Sequence, residues 1–344
     1  MYIQRCSLMY LFSVIIPVYN AEKYISRCLQ SLSSQTMTNY EVIIVDDGSN
    51  DHSIEICRKY QIKFCYCNII SHSKNMGASI ARNSGIKYAT GDYIVFLDSD
   101  DTLSPYFFEI LTTKIKQYGY PDILEFLMTY IEKNNFCSIQ GTILEEGVYD
   151  RQFLKDIFIP VHLECVKNEK YSYTLFNTLR VIRRHLVIEN NIMFNVNVKR
   201  WEDWAFAIKV FLCARNMVVI KIPLYNYFEN SIGNRMAYQP ETFSFVIQSY
   251  IEIDQLVKGK YNTFSDYAIE RKMTQFENCI AEILVQERIE DKRKQYIYHI
   301  LHNDYFQKVL SFIGKESKWY SIKNKISDDL YEYAYESLLN GIKK

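Results

Sequence analysis

The chain has 344 residues, 48% of them hydrophobic and 23% charged, enough for one large domain with a substantial appendage or for two domains. Forty Lys and Arg balance forty Asp and Glu, so no overall field recommends nucleic acid or an acidic polymer as partner, and any electrostatic function has to be local. The nine cysteines are odd in number and scattered through apolar segments, which reads as reduced core thiols of a cytoplasmic protein, and no run reaches the ~18 to 20 apolar residues that cross a bilayer.

The amino end, "MYIQRCSLMYLFSVIIPVYN", has an arginine before an apolar stretch but no small-residue cleavage site, so it reads as the approach to a strand starting near Leu11 rather than as an export signal. "LFSVIIPVY" is a continuous apolar run, as expected of a strand covered on both faces. Asn20 is placed to cap the helix that follows, whose apolar stripe is Tyr24, Ile25, Cys28, Leu29 and Leu32. "YEVIIVDDGS" is a second buried strand ending in acids, and a helix over Asp51–Tyr60 turns Ile54, Cys57 and Tyr60 inward. "IKFCYCNI" is a third strand, with Cys65 and Cys67 on one face. "NMGASIARNSGIKYATG" is a short helix of small residues able to lie close to a sheet, with Gly91 as its stop. "DYIVFLDSD" is a fourth strand, and helix returns over 105–118.

After residue 120 the rhythm weakens. "FLMTYIEK" and "CSIQGTILEEGVYD" suggest shorter, antiparallel strands, and "NTLRVIRRHLVIENN" suggests a helix. In "FNVNVKRWEDWAFAIKVFLCA" acids open a helix whose stripe includes Trp204, Ile208 and Phe211. From about 240 onward the sequence is helical and rich in Tyr and Phe; His299 and His302 read as ordinary helix residues. The stretch 308–325 interleaves lysines with Phe312, Ile313, Trp319 and Tyr320; it reads first as a solvated packing helix, with peripheral membrane contact as the alternative that a lipid-linked acceptor would suit.

Three strands thus end in polar clusters: "PVYN", "VDDGS" and "LDSDD". In an open α/β sheet, ligands bind just beyond such carboxyl ends. Asp98 and Asp100 are two apart and share a face of an extended chain, and the turn after them brings Asp101 round. Carboxylates so crowded repel unless a cation neutralises them, and two of them hold Mn2+ or Mg2+ with positions left for water and phosphate oxygens. The competing reading, a helix cap or solvated turn, is weakened by the second acidic pair, Asp46 and Asp47, on a neighbouring strand end.

"FSVIIPVYNAEKYISRCLQSL", "EVIIVDDGSND", "NMGASIARNSGIKYATGDYIVFLDSDD" and "RWEDWAF", in this order and at these intervals, resemble the family 2 glycosyltransferases of GT-A fold. The resemblance is continuous over the first 105 residues, resumes over 176–235 and is absent beyond. It implies a GT-A, Rossmann-like, mostly parallel sheet flanked by helices over 11–235, with a nucleotide-binding half about 11–105 and an acceptor-side half about 106–235, followed by a C-terminal helical extension over 236–344. It further implies a nucleotide-sugar donor, most often UDP-linked, a metal held by a DxD-type motif, and inversion at the anomeric carbon.

Carried over by position, Pro17, Val18 and Tyr19 line the base pocket with Glu22 nearby, and Asp46 or Asp47 binds the uracil or the ribose. Asn75, Gly77, Arg82 and Asn83 support the diphosphate and sugar, while Asp98, Ser99 and Asp100 serve donor and metal. Asp203, in a Glu-Asp pair, is the catalytic base; Glu202, Trp201, Trp204, Ser231 and Arg235 are candidate acceptor or diphosphate contacts. No third protein ligand to the metal stands out. The expected reaction is transfer of a sugar to a hydroxyl of a glycan or lipid-linked acceptor in surface polysaccharide synthesis, in the cytoplasm or at the inner face of the plasma membrane. A sugar nucleotidyltransferase would want a Gly-rich basic loop after strand one, and "PVYNAEKY" has no glycine. A non-catalytic nucleotide-sugar-binding protein would have no use for Asp203.

Overall fold

The computed structural model describes residues 10–163, 177–229, 239 and 241–313. They fall into two compact units, one of residues 10–159 and 177–229, the other of 160–163, 239 and 241–313.

The first unit is a helix-flanked sheet of ten strands: β1 (Phe12–Val18), β2 (Tyr40–Asp46), β3 (Cys67–Ser71), β4 (Tyr93–Phe96), β5 (Thr102–Leu103), β6 (Ile123–Ile131), β7 (Cys137–Gln140), β8 (Gly147–Asp150), β9 (Arg180–Arg183) and β10 (Asn216–Phe228). Their order is β3-β2-β1-β4-β9-β6-β10-β5, with β7 beside β6 and β8 beside β10. β1, β2, β3 and β4 run parallel, as do β6 and β10, but β9 is antiparallel to both β4 and β6. The parallel strands thus share the sheet with antiparallel β5, β7, β8 and β9.

The helices α1 (Ile25–Ser33), α2 (Ser53–Gln61), α3 (Ala78–Tyr88) and α4 (Phe107–Gln117) connect the first strands. Ile25, Cys28, Leu29 and Leu32 of α1 are fully buried, as the apolar stripe requires. The small residues of α3 let it settle onto β1: a Cβ on Gly85 would stand 2.3 Å from Ile15 Cγ2. Behind the strands, buried Glu41 accepts hydrogen bonds from Ser13 Oγ, the Thr90 amide and hydroxyl, and the Gly91 amide. One carboxylate with four donors offsets its burial and locks β1, β2 and the entry to β4 together.

Several local expectations are corrected. Asn20 does not cap α1, which begins at Ile25; with φ 47° it turns away and its side-chain oxygen accepts from the Asn50 amide. The third strand starts at Cys67 rather than Ile62, leaving Cys65 exposed. The stretch read as one helix from Asn177 is a short turn, the strand β9 and a helix over Arg184–Glu189. The reason is tertiary: Val181 and Ile182 are buried between β4 and β6, and Arg180 Nε pairs at 2.6 Å with Glu125 Oε2, both side chains sealed from water. Cys28, Cys57 and Cys279 are buried and Cys137 is exposed; no disulfide joins the described cysteines.

The second unit is helical, with helices Thr242–Val257, Asp266–Gln286, Glu290–Leu301 and Asp304–Ser311. Phe243, Tyr250, Phe276 and Phe306 pack ring against ring in its core. His299 lies in the third helix and His302 ends it, stacked on Tyr298. Among the described residues no helix is long and apolar enough to cross a membrane. Of the basic stretch 308–325, residues 314–325 lie outside the described residues.

Candidate active site

β2, β1 and β4 are neighbours, all parallel, so their carboxyl ends open onto one rim. β1 delivers Pro17, buried Val18 and exposed Tyr19; β2 delivers buried Asp46 and, one residue on, buried Asp47; β4 leads to Asp98. The strand-to-strand ladder continues past the strand ends, with the Asp47 amide on Val18 O and the Leu97 amide on Ile15 O, so the three termini are held at one level.

The two acids of β2 divide the work. Asp47 is fully engaged by its own chain: it accepts from the amides of Met76 and Gly77 and pairs with His72 Nδ1 at 2.7 Å. His72 in turn reaches Ser84 Oγ on α3. Asp47 therefore moulds the loop 72–77, including Asn75 and Gly77, and Asp46 is the member whose side chain receives only the Ser49 amide at its Oδ1 among the described residues. Gly48 makes this turn feasible. It has φ 75°, and a Cβ there would meet the Lys74 carbonyl carbon at 2.6 Å. Gly48→Ala is expected to destabilise by about 1–3 kcal/mol, read from the urea midpoint, and to loosen the 72–77 loop.

Glu22 accepts from the His52 amide, while its own amide donates to Asp51, so it fastens the loop before α1 to the start of α2. Asn83 holds the backbone of Phe194 from both sides, donating to its carbonyl at 2.8 Å and accepting from its amide at 2.9 Å. Both brace the site.

The "LDSDD" turn separates its acids by depth. Asp98 is 7% exposed and Asp101 1%, whereas Ser99 and Asp100 are half-buried. Asp101 turns inward, accepting from the Tyr225 hydroxyl at 2.6 Å and the Phe228 amide at 3.0 Å on β10. Burial, then the charges of Asp98 and Asp100, push its carboxyl well above the usual range. It anchors the turn and does not join the rim. Arg27 of α1 braces the same turn from outside, donating to the Asp100 carbonyl and lying 3.5 Å over the Phe228 ring.

Arg82 links this turn to the Glu-Asp pair. Its guanidinium, 3% exposed, lies 3.2 Å from Asp98 Oδ1, 3.1 Å from Glu202 Oε1 and 3.3 Å from Asp203 Oδ1. It rests 5.3 Å from the Phe194 ring, which stacks on Phe206 of the helix Glu202–Cys213. Two α3 residues thus clamp this helix to the rim, Arg82 by charge and Asn83 through Phe194. Trp201 precedes the helix with φ 60°, a left-handed conformation rare for a bulky residue, and packs edge-on against buried Trp204. Glu202 and Asp203 follow in the first turn, where the helix dipole favours negative charge. Burial, then repulsion from Asp203, raises the Glu202 carboxyl even with Arg82 alongside.

Asp203 keeps one oxygen bound and one available. Oδ1 receives Arg82 and the Asn177 amide, while Oδ2 has no hydrogen-bond partner among the described residues, and the side chain is 27% exposed. Sequence reasoning missed Asn177, His72, Phe194 and Arg27, none of which belongs to a strand-end motif. Ser231 and Arg235 lie outside the described residues.

A family model, glycosyl transferase family 2, matches residues 13–184. The uncharacterized glycosyltransferase EpsJ of Bacillus subtilis is 31% identical over 233 residues, 64% of this chain and 61% of that protein. The poly(ribitol-phosphate) beta-N-acetylglucosaminyltransferase TarS of Staphylococcus aureus is 31% identical over 67% of this chain but only 38% of its own length. The chain thus spans under two thirds of both relatives. Crystal structures of S. aureus TarS 1-349 superpose with TM-scores of 0.60 in complex with UDP, at 23% identity, and 0.61 in complex with UDP-GlcNAc, at 21%, each over 96% of this chain and 89% of that one. This likeness establishes the shared fold.

Proposed function

The chain belongs to glycosyl transferase family 2, and on that premise we propose that it is a metal-dependent, inverting glycosyltransferase moving a sugar from a UDP-linked donor to a hydroxyl of a glycan or lipid-linked acceptor in surface polymer synthesis. The observation that carries the reading is the single buried guanidinium of Arg82 joining Asp98 of the strand-end rim to Glu202 and Asp203. Donor-side and acceptor-side carboxylates are thereby held at a fixed spacing. Binding of UDP and UDP-GlcNAc by TarS, a protein of the same fold, supports the choice of donor.

In this reading the nucleoside lies across the β1 and β2 ends, with Pro17, Val18 and Tyr19 on one side and Asp46 as polar contact. Asp47, through Met76 and Gly77, keeps the 72–77 loop in place beside it. Asp98 and Asp100 would hold Mn2+ or Mg2+, whose Lewis acidity stabilises negative charge on the departing diphosphate. The donor set has the chemistry for such an ion, both ligands being hard carboxylate oxygens.

Asp203 accepts the proton of the acceptor hydroxyl on Oδ2 as the new glycosidic bond forms, from the face opposite the leaving group, and inversion follows. Arg82 keeps Glu202 and Asp203 oriented and offsets their charge.

The test is a panel of nucleotide sugars with Mn2+, Mg2+ or EDTA, read as nucleotide release with and without acceptor fractions. Turnover with a UDP-sugar in metal and its loss in EDTA are expected. No release from any nucleotide sugar, together with no shift of melting temperature by any nucleoside diphosphate in metal, would overturn the proposal.

A further inference from the structure

We infer that Asn177 is the positioning residue for the base, setting which oxygen of Asp203 receives the proton. The inference rests on the reading of Asp203 as base. Asn177 sits in the short turn before β9 and is 1% exposed. Its Nδ2 donates to two acceptors of the same residue, Asp203 O and Asp203 Oδ1, each at 3.1 Å. A donor shared between a residue's carbonyl and its carboxylate fixes the side-chain torsion as well as the backbone. With Arg82 paired to the same Oδ1 at 3.3 Å, that oxygen carries both contacts, and Oδ2 is left as the proton acceptor.

The rest of the amide shows what this arrangement overrides. Asn177 Oδ1 is buried and has no hydrogen-bond partner among the described residues. Buried acceptors are almost always paired, and an amide rotates to satisfy them where it can. Here rotation by half a turn would bring Oδ1 against two acceptors, Asp203 O and Oδ1, replacing two favourable contacts by two repulsive ones. The amide is therefore held in the orientation that serves Asp203 while its own oxygen goes unsatisfied. A side chain kept only for packing has no reason to be an asparagine at this point: an apolar residue of the same size would leave no orphaned oxygen.

Among the described residues, the charged groups beside Asp203 are Arg82 on α3 and Glu202 in the same helix. Without the Asn177 donor the orientation of the carboxylate loosens, and misplacement of a reacting group lowers the rate without changing donor binding.

The experiment compares wild type, Asn177→Ala, Asn177→Ser, Asp203→Asn and the Asn177→Ala/Asp203→Asn double variant, using whichever UDP-sugar gives turnover, and measures kcat, donor KM and the melting-temperature shift with UDP and Mn2+. Asn177→Ala should lower kcat by about 10- to 100-fold and leave donor KM and the UDP shift unchanged. Asn177→Ser, which keeps a shorter donor, should recover part of the rate and is read in place of the alanine variant should that one fail to fold. The double variant should be no slower than Asp203→Asn alone. Wild-type kcat in Asn177→Ala, or losses that multiply in the double variant, overturn the inference while the base assignment stands. Full turnover in Asp203→Asn removes the base assignment and this inference with it.

Discussion

Asp203→Asn is expected to lower kcat by about 10²- to 10⁴-fold while leaving the affinity for UDP in Mn2+ within about twofold of wild type. The amide is nearly isosteric with the carboxylate and its oxygen can still accept from Asn177 and Arg82, so the helix start keeps its place. What it loses is the basic oxygen: an acceptor hydroxyl, a poor nucleophile at neutral pH, no longer finds a group to take its proton. Donor binding is spared because Asp203 meets the rim through Arg82, whose guanidinium also pairs with Asp98. Rates come from UDP release and affinities from calorimetry. A variant that turns over at the wild-type rate would strip Asp203 of the role.

Arg82→Met is expected to destabilise the first unit by about 3–5 kcal/mol, the cost of removing one partner from a buried ion cluster. The methionine fills most of the volume and still packs on Phe194, so the loss is one of charge: Asp98, Glu202 and Asp203 are left facing one another. Water reaches Glu202 and Asp203, 20% and 27% exposed, which places the effect toward the lower end of that range.

The pH dependence follows in sign. Burial and Asp203 already raise the Glu202 carboxyl, and loss of the guanidinium raises it further. A carboxyl raised in the folded state binds its proton more tightly there than in the unfolded chain, so the folded state gains on acidification and loses as pH rises through the raised value. The deficit of Arg82→Met relative to wild type should therefore be largest near neutrality and shrink toward about pH 4, near the ordinary glutamate value, in urea melts run across pH. A deficit that does not change with pH would contradict a charge origin.

The rim of the site was legible because its signals are local. The apolar runs before Asn20, Asp47 and Asp98 mark buried strands, and their polar ends fall on adjacent strand termini as a parallel arrangement requires. The helix of small residues also announced its close packing, realised at Gly85 against Ile15.

What was not legible depends on partners far along the chain. "RVIR" has no strand-long alternation, and its pairing is decided by β4, β6 and a glutamate at position 125. The adjacent acids Asp46 and Asp47 look equivalent until the amides of Met76 and Gly77 claim the second. Arg82 gives no local hint that it meets an acid at 98 and two more at 202 and 203. Asn177 lies in no motif; only its burial beside Asp203 sets it apart.

The most direct measurement of the central claim, that the β2-β1-β4 rim takes a nucleoside diphosphate together with a divalent cation at Asp98, is calorimetric titration of UDP into wild type and Asp98→Ala, each in Mn2+ and in EDTA. Saturable one-to-one binding by wild type in Mn2+, at least tenfold weaker in EDTA and in Asp98→Ala, is the predicted result. Equal UDP affinity in all four titrations, or no binding in any, would contradict it.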